Sequence, residues 1–157
     1  MPLTTDLTAY QAMFENSAFI ERYGVALSRA NIADILEADL AIWMVNGFGP
    51  WVILDQESGE VMGRGGLKTI QLNGQREVEL CYALLPKFWH QGKASQLVAD
   101  SIQFAFQQLA LSSLIAFTLP SNMASRKILE KFHFKFEYKG EYKGLMHQFY
   151  RLSKERC

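Results

Sequence analysis

The chain has 157 residues, of which 49% are apolar and 20% are charged, as is typical of a soluble globular protein. We therefore expect one domain, residues 1–157, that is large enough to bury a hydrophobic core. The 16 basic and 16 acidic residues balance, which excludes the basic excess that drives nucleic-acid binding through phosphate contacts.

The N-terminal third of the chain predicts three helices. Apolar residues recur at helical spacing from Leu7, and a second short helix is expected over residues 17–23, ending at Gly24. Ser28 is a candidate cap for a third helix, which stops before Gly47. No apolar run approaches the length of a membrane span, and no signal peptide is visible, so we expect no membrane partner.

The middle of the chain changes to strand patterns. Residues 51–54, 60–70 and 76–84 are apolar or alternating runs between polar turns, and Asn73-Gly74 is a hairpin signal. The sequence therefore predicts three consecutive antiparallel strands. An amphipathic helix follows Gly92 and is expected to reach residue 109.

The C-terminal third completes a mixed α/β sheet. Residues 114–119 predict a strand parallel to residues 78–84, because a crossover helix joins the two. A further helix over residues 123–132 and an antiparallel pair over residues 134–142 and 145–152 follow.

The turn before the long helix is a candidate anion site. Gly92 lets the backbone approach a ligand, Ala94 is small, and the first N–H groups of a helix have no intrahelical partner. The helix dipole also favours a negative charge there. The turn alone is equally compatible with N–H groups that face water.

Glu77 and Glu79 are the candidate acid–base residues. Side chains two residues apart on a strand face the same side, so both line up with Cys81. Glu79 begins an apolar run, where a carboxylate can have a raised pKa and act as a base near neutral pH. A solvent-facing glutamate is the alternative, and it suits Glu77 better because Glu77 is nearer the hairpin.

Asn122 and Ser125 follow the strand at 114–119, and ligands tend to bind at the carboxyl ends of strands in such sheets. Asn122 is a candidate ligand contact and Ser125 a candidate hydroxyl donor. Helix capping by Ser121 or Asn122 is the structural alternative.

The histidines and cysteines indicate neither a metal site nor a disulfide framework. His90, His133 and His147 are far apart in the sequence and have no partners at ligand spacing. Cys81 and Cys157 are expected to be reduced, which suits the cytoplasm.

Taken in order, these segments resemble the GNAT superfamily of N-acetyltransferases, and its RimJ/RimL-like branch in particular. The resemblance covers nearly the whole chain and rests on the order and spacing of four segments. These are residues 2–7; residues 51–54 with 59–63 and Gly66-Leu67; residues 79–84 with Trp89, Gly92 and Ala94; and Asn122, Ala124, Ser125, Leu129, Glu130, Lys131 and Phe134.

The resemblance implies a mixed, mostly antiparallel sheet that is splayed between two central parallel strands and flanked by helices. It implies acetyl-CoA as co-substrate, no metal, and a primary amine as acceptor, either a protein or peptide N-terminus or a small amine. The acceptor would lie beside the N-terminal helices, and the chain would supply only the end of the family's first strand. The resemblance leaves open whether the chain forms a homodimer.

The resemblance also assigns roles to residues. Backbone groups near Ala83 and Leu84 would pair with the pantetheine arm of the cofactor, which Asn122 would also contact. The N–H groups that would cradle the pyrophosphate belong to His90, Gln91, Gly92, Lys93, Ala94 and Ser95.

The expected mechanism is direct transfer to the amine. Glu79, through a water, would take a proton from the acceptor, and a backbone N–H near Leu84 would hold the developing oxyanion. The tyrosine acid of other superfamily members falls at Leu129, so Ser125 or a water would protonate the leaving thiolate. A non-catalytic acyl-CoA-binding module and a purely structural domain are the alternatives.

Overall fold

The computed structural model describes residues 1–23 and 29–156. Within these ranges a six-stranded sheet is flanked by five α-helices, which confirms the predicted α/β class. The helices are α1 (Leu7–Phe14), α2 (Ser17–Tyr23), α3 (Arg29–Asn46), α4 (Lys93–Gln103) and α5 (Met123–Lys131). The strands are β1 (Pro50–Leu54), β2 (Val61–Leu72), β3 (Gln75–Leu84), β4 (Ser113–Thr118), β5 (Lys135–Tyr142) and β6 (Leu145–Ser153).

The strands are ordered β1-β2-β3-β4-β6-β5 across the sheet. Neighbouring strands are antiparallel except β3 and β4, which are parallel because the α4 crossover joins them. β3 and β4 are paired at Glu79 and Ile115, and this is the single register pair between them in the described residues. The expected splay between two central parallel strands is therefore confirmed.

The β2–β3 hairpin determines which side chains face which helical layer. Asn73 and Gly74 have φ angles of 51° and 78°, as a two-residue hairpin turn with positive φ requires. The resulting register places Lys68 opposite Glu79. Because side chains alternate along a strand, Arg64, four residues before Lys68, lies on the same face.

Apolar cores lie on both faces of the sheet. The first three helices pack over Ala83 on one face, and α4 and α5 pack over Leu67 and Leu80 on the other. Gly65 of β2 lets α4 come close, because a Cβ at this position would lie 2.8 Å from Cδ2 of Leu97. The gap between β3 and β4 is therefore walled by helices on both faces.

Element boundaries differ from the predictions in detail. α4 ends at Gln103, and a π-helical turn over Phe104–Gln108 takes the place of regular helix up to residue 109. Gly24 and Ser28, predicted to end the second helix and begin the third, lie outside the described residues. No helix in the described ranges combines the length and apolarity needed to cross a membrane.

A buried carboxylate joins three elements of the helical layer and the sheet. Asp39 of α3 accepts a hydrogen bond from Tyr10 Oη of α1 at 2.7 Å. The same carboxylate accepts from Nε and Nη2 of Arg64 on β2, at 2.9 and 2.6 Å. Asp39 is 2% exposed, so its charge is compensated by Arg64 rather than by water.

We expect Asp39→Asn to destabilise the fold by about 3 kcal/mol, because it leaves Arg64 as an uncompensated charge in a buried site. Denaturant unfolding would measure the change. Asp34→Asn is the matched control, since Asp34 is exposed on the same helix and should change stability by less than about 0.5 kcal/mol. Equal effects of the two substitutions would contradict this role of Asp39.

Candidate active site

The separation of β3 and β4 opens a cleft that holds two cavities. A larger cavity of about 450 Å³ lies beside α4 and α5, and a smaller one of about 220 Å³ lies against the first two helices. Tyr82 and Ser125 line both, so the cavities meet at these two residues. Of the residues predicted from the sequence, the larger cavity is lined by Leu84, His90, Gly92, Lys93, Ala94, Ser95, Asn122 and Ser125, and the smaller by Glu79, Ala83 and Ser125.

The start of α4 presents free backbone donors to the larger cavity. Gly92 has a φ angle of 76°, which glycine adopts without strain. The first intrahelical hydrogen bond of α4 runs from the N–H of Gln96 to the carbonyl of Gly92 at 3.0 Å. The N–H groups of Lys93, Ala94 and Ser95 precede this bond and have no intrahelical partner, so this wall favours an anion.

The side chains around the larger cavity add positive charge. Arg22, Lys93 and Lys127 line it, and no carboxylate is among its described lining residues. The Arg22 guanidinium lies 3.5 Å from the ring centroid of Trp89, as in a cation–π contact. Arg22 and Lys127 were not predicted as site residues, because they lie on helices far from the turn in the chain.

The register of β3 determines which backbone groups face the cleft. The N–H of Leu85 donates to the carbonyl of Met62 at 2.8 Å, so every second residue back along β3, including Ala83, bonds to β2. The expectation for Ala83 is therefore corrected: its backbone groups point away from the cleft. Those of Leu84 point into it.

Trp89 already uses part of this wall. Its indole N–H donates to the carbonyl of Leu84 at 2.6 Å. The N–H of Leu84 is therefore the donor that the wall offers to a ligand at this residue. The Trp89 ring also fixes the turn against β3, which positions the start of α4.

Two further predicted residues have structural partners. The side-chain amide of Gln91 donates to the carbonyl of Lys87 at 2.6 Å, and Gln91 is exposed and outside the described cavity lining. Asn122 is buried and caps α5, accepting the N–H of Ser125 at 3.2 Å. The capping alternative for Asn122 is therefore confirmed. Because Asn122 also lines the larger cavity, a contact between its amide N–H groups and a ligand stays a prediction.

Tyr82 is a functional candidate that no local sequence pattern indicates. Its hydroxyl lies 2.8 Å from Oγ of Ser125, and either group can be the donor. The bond spans the cleft from β3 to α5, at the point where the two cavities join. Two hydroxyl groups therefore stand at the junction, whereas Leu129, where the resemblance would put the superfamily's tyrosine, is buried and lines the smaller cavity.

Glu79 lies buried in the wall of the smaller cavity. Its Oε2 atom is 3.0 Å from Nζ of Lys68, yet it has no hydrogen-bond partner with suitable geometry in the described residues. Burial acts to lower the pKa of Lys68, but the Glu79 carboxylate and the nearby Cys81 together hold that pKa above its ordinary value. Lys68 is therefore protonated at neutral pH, and Glu79 Oε2 can still accept a hydrogen bond from a ligand.

Glu77, the second candidate acid, does not line either cavity in the described residues. Its carboxylate receives Nη2 of Arg151 at 2.8 Å and Nη1 at 3.1 Å. This pair links β3 to β6, so Glu77 has a structural partner.

Cys81 lies between the charged groups of the smaller cavity. Burial raises the pKa of its thiol to about 11, although the cations Lys68 and Arg64 act in the opposite direction. The thiol is therefore protonated at neutral pH and is a poor nucleophile.

We expect Cys81 to react about a hundred times more slowly with iodoacetamide at pH 8 than a cysteine in a flexible peptide, because the thiolate is the reactive form. A Cys157→Ser variant leaves Cys81 as the single thiol, and mass spectrometry would follow its alkylation. The rate should keep rising up to pH 11. Alkylation as fast as that of the peptide would contradict the raised pKa.

No group of three or more His, Cys, Asp or Glu side chains in residues 1–23 and 29–156 is placed to hold a metal ion. The donors around the cleft are instead backbone N–H groups, cations and hydroxyls. This donor set suits an anionic organic ligand.

Sequence comparisons agree with this geometry. Residues 1–135 match the family model described as an acetyltransferase (GNAT) domain. FsC-acetyl coenzyme A-N(2)-transacetylase of Aspergillus fumigatus is 30% identical over 99 residues, which are 55% of this chain and 41% of that protein. The uncharacterized N-acetyltransferase YoaA of Bacillus subtilis is 25% identical over 131 residues, 82% of this chain and 73% of that protein. The match thus spans less than half the length of the Aspergillus relative.

Solved structures share the fold. An acetyltransferase from Agrobacterium tumefaciens matches with a TM-score of 0.84 at 22% identity, over 98% of this chain and 88% of that one. A RimL ribosomal L7/L12 alpha-N-protein acetyltransferase with coenzyme A matches with a TM-score of 0.77 at 16% identity, over 99% of this chain and 93% of that one. The aminoglycoside acetyltransferase AAC(6')-Ib with coenzyme A matches with a TM-score of 0.75 at 16% identity, over 99% of this chain and 94% of that one. By its match to the family model, supported by this shared fold, the chain belongs to the GNAT acetyltransferase family.

Proposed function

We propose that the chain is an acetyl-CoA-dependent N-acetyltransferase that moves an acetyl group directly to a primary amine. One observation carries the proposal: an anion-binding cavity and a cavity with a buried carboxylate meet at Tyr82 and Ser125. The first suits a phosphate-bearing co-substrate and the second suits an amine. Membership of the GNAT acetyltransferases supports this assignment.

Acetyl-CoA would occupy the larger cavity with its pyrophosphate at the start of α4. The turn from His90 to Ser95 would bind the phosphate oxygens through backbone N–H groups, with Arg22 and Lys127 nearby. The pantetheine arm would lie in the gap beside β3, which leaves the N–H of Leu84 for the thioester carbonyl. Asn122 would add an amide donor on the opposite wall. This arrangement places the thioester at the junction of the two cavities.

The reaction would then proceed by direct attack. Glu79 takes a proton from the acceptor ammonium, directly or through a water, and the free amine nitrogen bonds to the thioester carbonyl carbon. The N–H of Leu84 stabilises the negative charge that develops on the carbonyl oxygen. The carbon–sulfur bond breaks, and the thiolate receives a proton from the hydrogen-bonded Tyr82 and Ser125 hydroxyls, which regain it from the second proton that the new amide nitrogen loses, directly or through water. Because a thiol has a pKa of about 8.5, coenzyme A can leave as the thiolate, so this acid assists the reaction but is not essential to it.

Positioning of the two reactants would supply most of the acceleration. We assign residues 1–157 to a single acetyltransferase domain of the RimJ/RimL-like branch. The fold match to RimL, an alpha-N-protein acetyltransferase, supports a peptide N-terminus as acceptor, and the match to AAC(6')-Ib supports a small amine. Both acceptor classes therefore enter the test below.

We expect Glu79→Gln to lower kcat/KM for the best acceptor by about a hundredfold or more, because the variant lacks the base. The assay follows thiol release from acetyl-CoA with peptides and small amines, and mass spectrometry identifies the acetylated nitrogen. The pH dependence of the rate should also flatten.

Glu77→Gln is the matched control, since Glu77 lies on the same strand face but pairs with Arg151. It should keep wild-type activity. Glu79→Asp retains the charge beside Lys68 while withdrawing the carboxylate by one methylene, so it separates loss of the base from loss of the fold. Unchanged rate and pH profile in both Glu79 variants would contradict the mechanism. Coenzyme A binding without thiol release for any acceptor would instead indicate a non-catalytic binding module.

A further inference from the structure

The smaller cavity is bordered by a charge cluster that is neutral as a whole. Lys68 pairs with Glu79, and Arg64 pairs with Asp39. Arg64, Lys68 and Glu79 line the cavity, whereas Asp39 lies behind Arg64 and is outside the described lining. The wall that a ligand meets therefore carries two cations and one carboxylate.

The two cations and the carboxylate of this wall all have unused hydrogen-bonding capacity. Arg64 gives Nε and Nη2 to Asp39, and its Nη1 makes no hydrogen bond to any described residue. Lys68 has three N–H donors and one carboxylate neighbour. Glu79 Oε2 is buried 3.0 Å from Lys68 Nζ but makes no hydrogen bond of suitable geometry to any described residue. The wall can therefore accept an ammonium and donate to an anion at the same time.

The low exposure of the cluster makes the net charge of a ligand important. The Lys68 and Glu79 side chains are 22% and 6% exposed, and those of Arg64 and Asp39 are 12% and 3% exposed. An acceptor with a single ammonium would add one uncompensated charge to this site, which is costly in a poorly solvated environment. A zwitterion would add none.

We infer that the acceptor is an amine carrying a carboxylate close to its amino group, as an α-amino acid does. The ammonium would lie against Glu79 Oε2, and the carboxylate would accept from Lys68 Nζ and Arg64 Nη1. The inference rests on the proposed acetyltransferase function and names the substrate class of the same site. A peptide N-terminus with an acidic side chain offers the same pair of charges.

The size and lining of the cavity fit this class. Its volume of about 220 Å³ lies below the range of about 300–1,000 Å³ typical of sites for drug-sized ligands. Phe14 and Phe19 form its apolar wall on the helical side. An amine with several positive charges, such as an aminoglycoside or polyamine, would be repelled by the two cations.

The test compares acceptors that differ only in the anionic group. Thiol release from acetyl-CoA is measured with phenylalanine, phenylalanine amide, phenethylamine and spermidine, and with peptides that carry glutamate or glutamine as second residue. We expect kcat/KM for phenylalanine to exceed that for its amide by at least about tenfold. A preference for the glutamate peptide over the glutamine peptide, with phenylalanine inactive, would assign the carboxylate to a peptide. Equal rates for the acid and amide forms in both pairs would overturn the inference.

Lys68→Gln should reduce the preference for the acid form over the amide form, because it removes one of the two cations. Arg64→Lys keeps the charge but loses the planar fork, so it should raise KM for the acid form more than it lowers kcat. Lys139→Gln, an exposed lysine on β5, is the matched control and should leave the preference unchanged. Circular dichroism and thermal unfolding would establish whether each variant is folded.

These arms separate the inference from the function on which it rests. Absence of thiol release with every acceptor would count against the proposed function itself. Turnover of phenethylamine or spermidine at least as fast as of phenylalanine and the glutamate peptide would uphold the function and overturn the inference. An unchanged acid-over-amide preference in Lys68→Gln would likewise overturn it.

Discussion

The parallel strands β3 and β4 are joined at the pair Glu79 and Ile115 and then separate. Continued pairing would bond the backbone groups of Leu84 to β4 and close the sheet. The separation instead leaves a gap, walled by α4 and α5 on one face and by the N-terminal helices on the other. The same strand, β3, thus supplies a backbone edge to one cavity and the Glu79 carboxylate to the other. The proposed reaction depends on this shared strand.

Charge is distributed unevenly although the chain is neutral overall. The larger cavity has cations and free helix N–H groups, which suit phosphates. The smaller cavity has paired charges of both signs, whose placement depends on the register of the β2–β3 hairpin. Asp39 supports this arrangement from α3 by holding Arg64. The fold therefore places two differently charged sites within one gap in the sheet.

Local patterns in the sequence were sufficient for most of the fold. The hairpin at Asn73-Gly74 and the crossover helix after Gly92 each have a short-range signal, and both were predicted correctly. The partners of Glu79 were not predictable in this way, because Lys68 meets it only through the hairpin register. No local pattern distinguishes Tyr82 from other strand residues, because its hydroxyl meets Ser125, 43 residues away in the chain, only after folding. The backbone direction of Ala83 likewise follows from register rather than from residue type.

The central claim is that the gap between β3 and β4 binds the phosphate and pantetheine portions of acetyl-CoA. Titration of ¹⁵N-labelled protein with coenzyme A, followed by amide chemical shifts, tests it directly. We expect saturable shifts concentrated at Leu84, at the first residues of α4 and at Ser125, with small shifts along the edge strand β5. Saturable binding with shifts concentrated outside the gap, or no binding at millimolar coenzyme A, would contradict it.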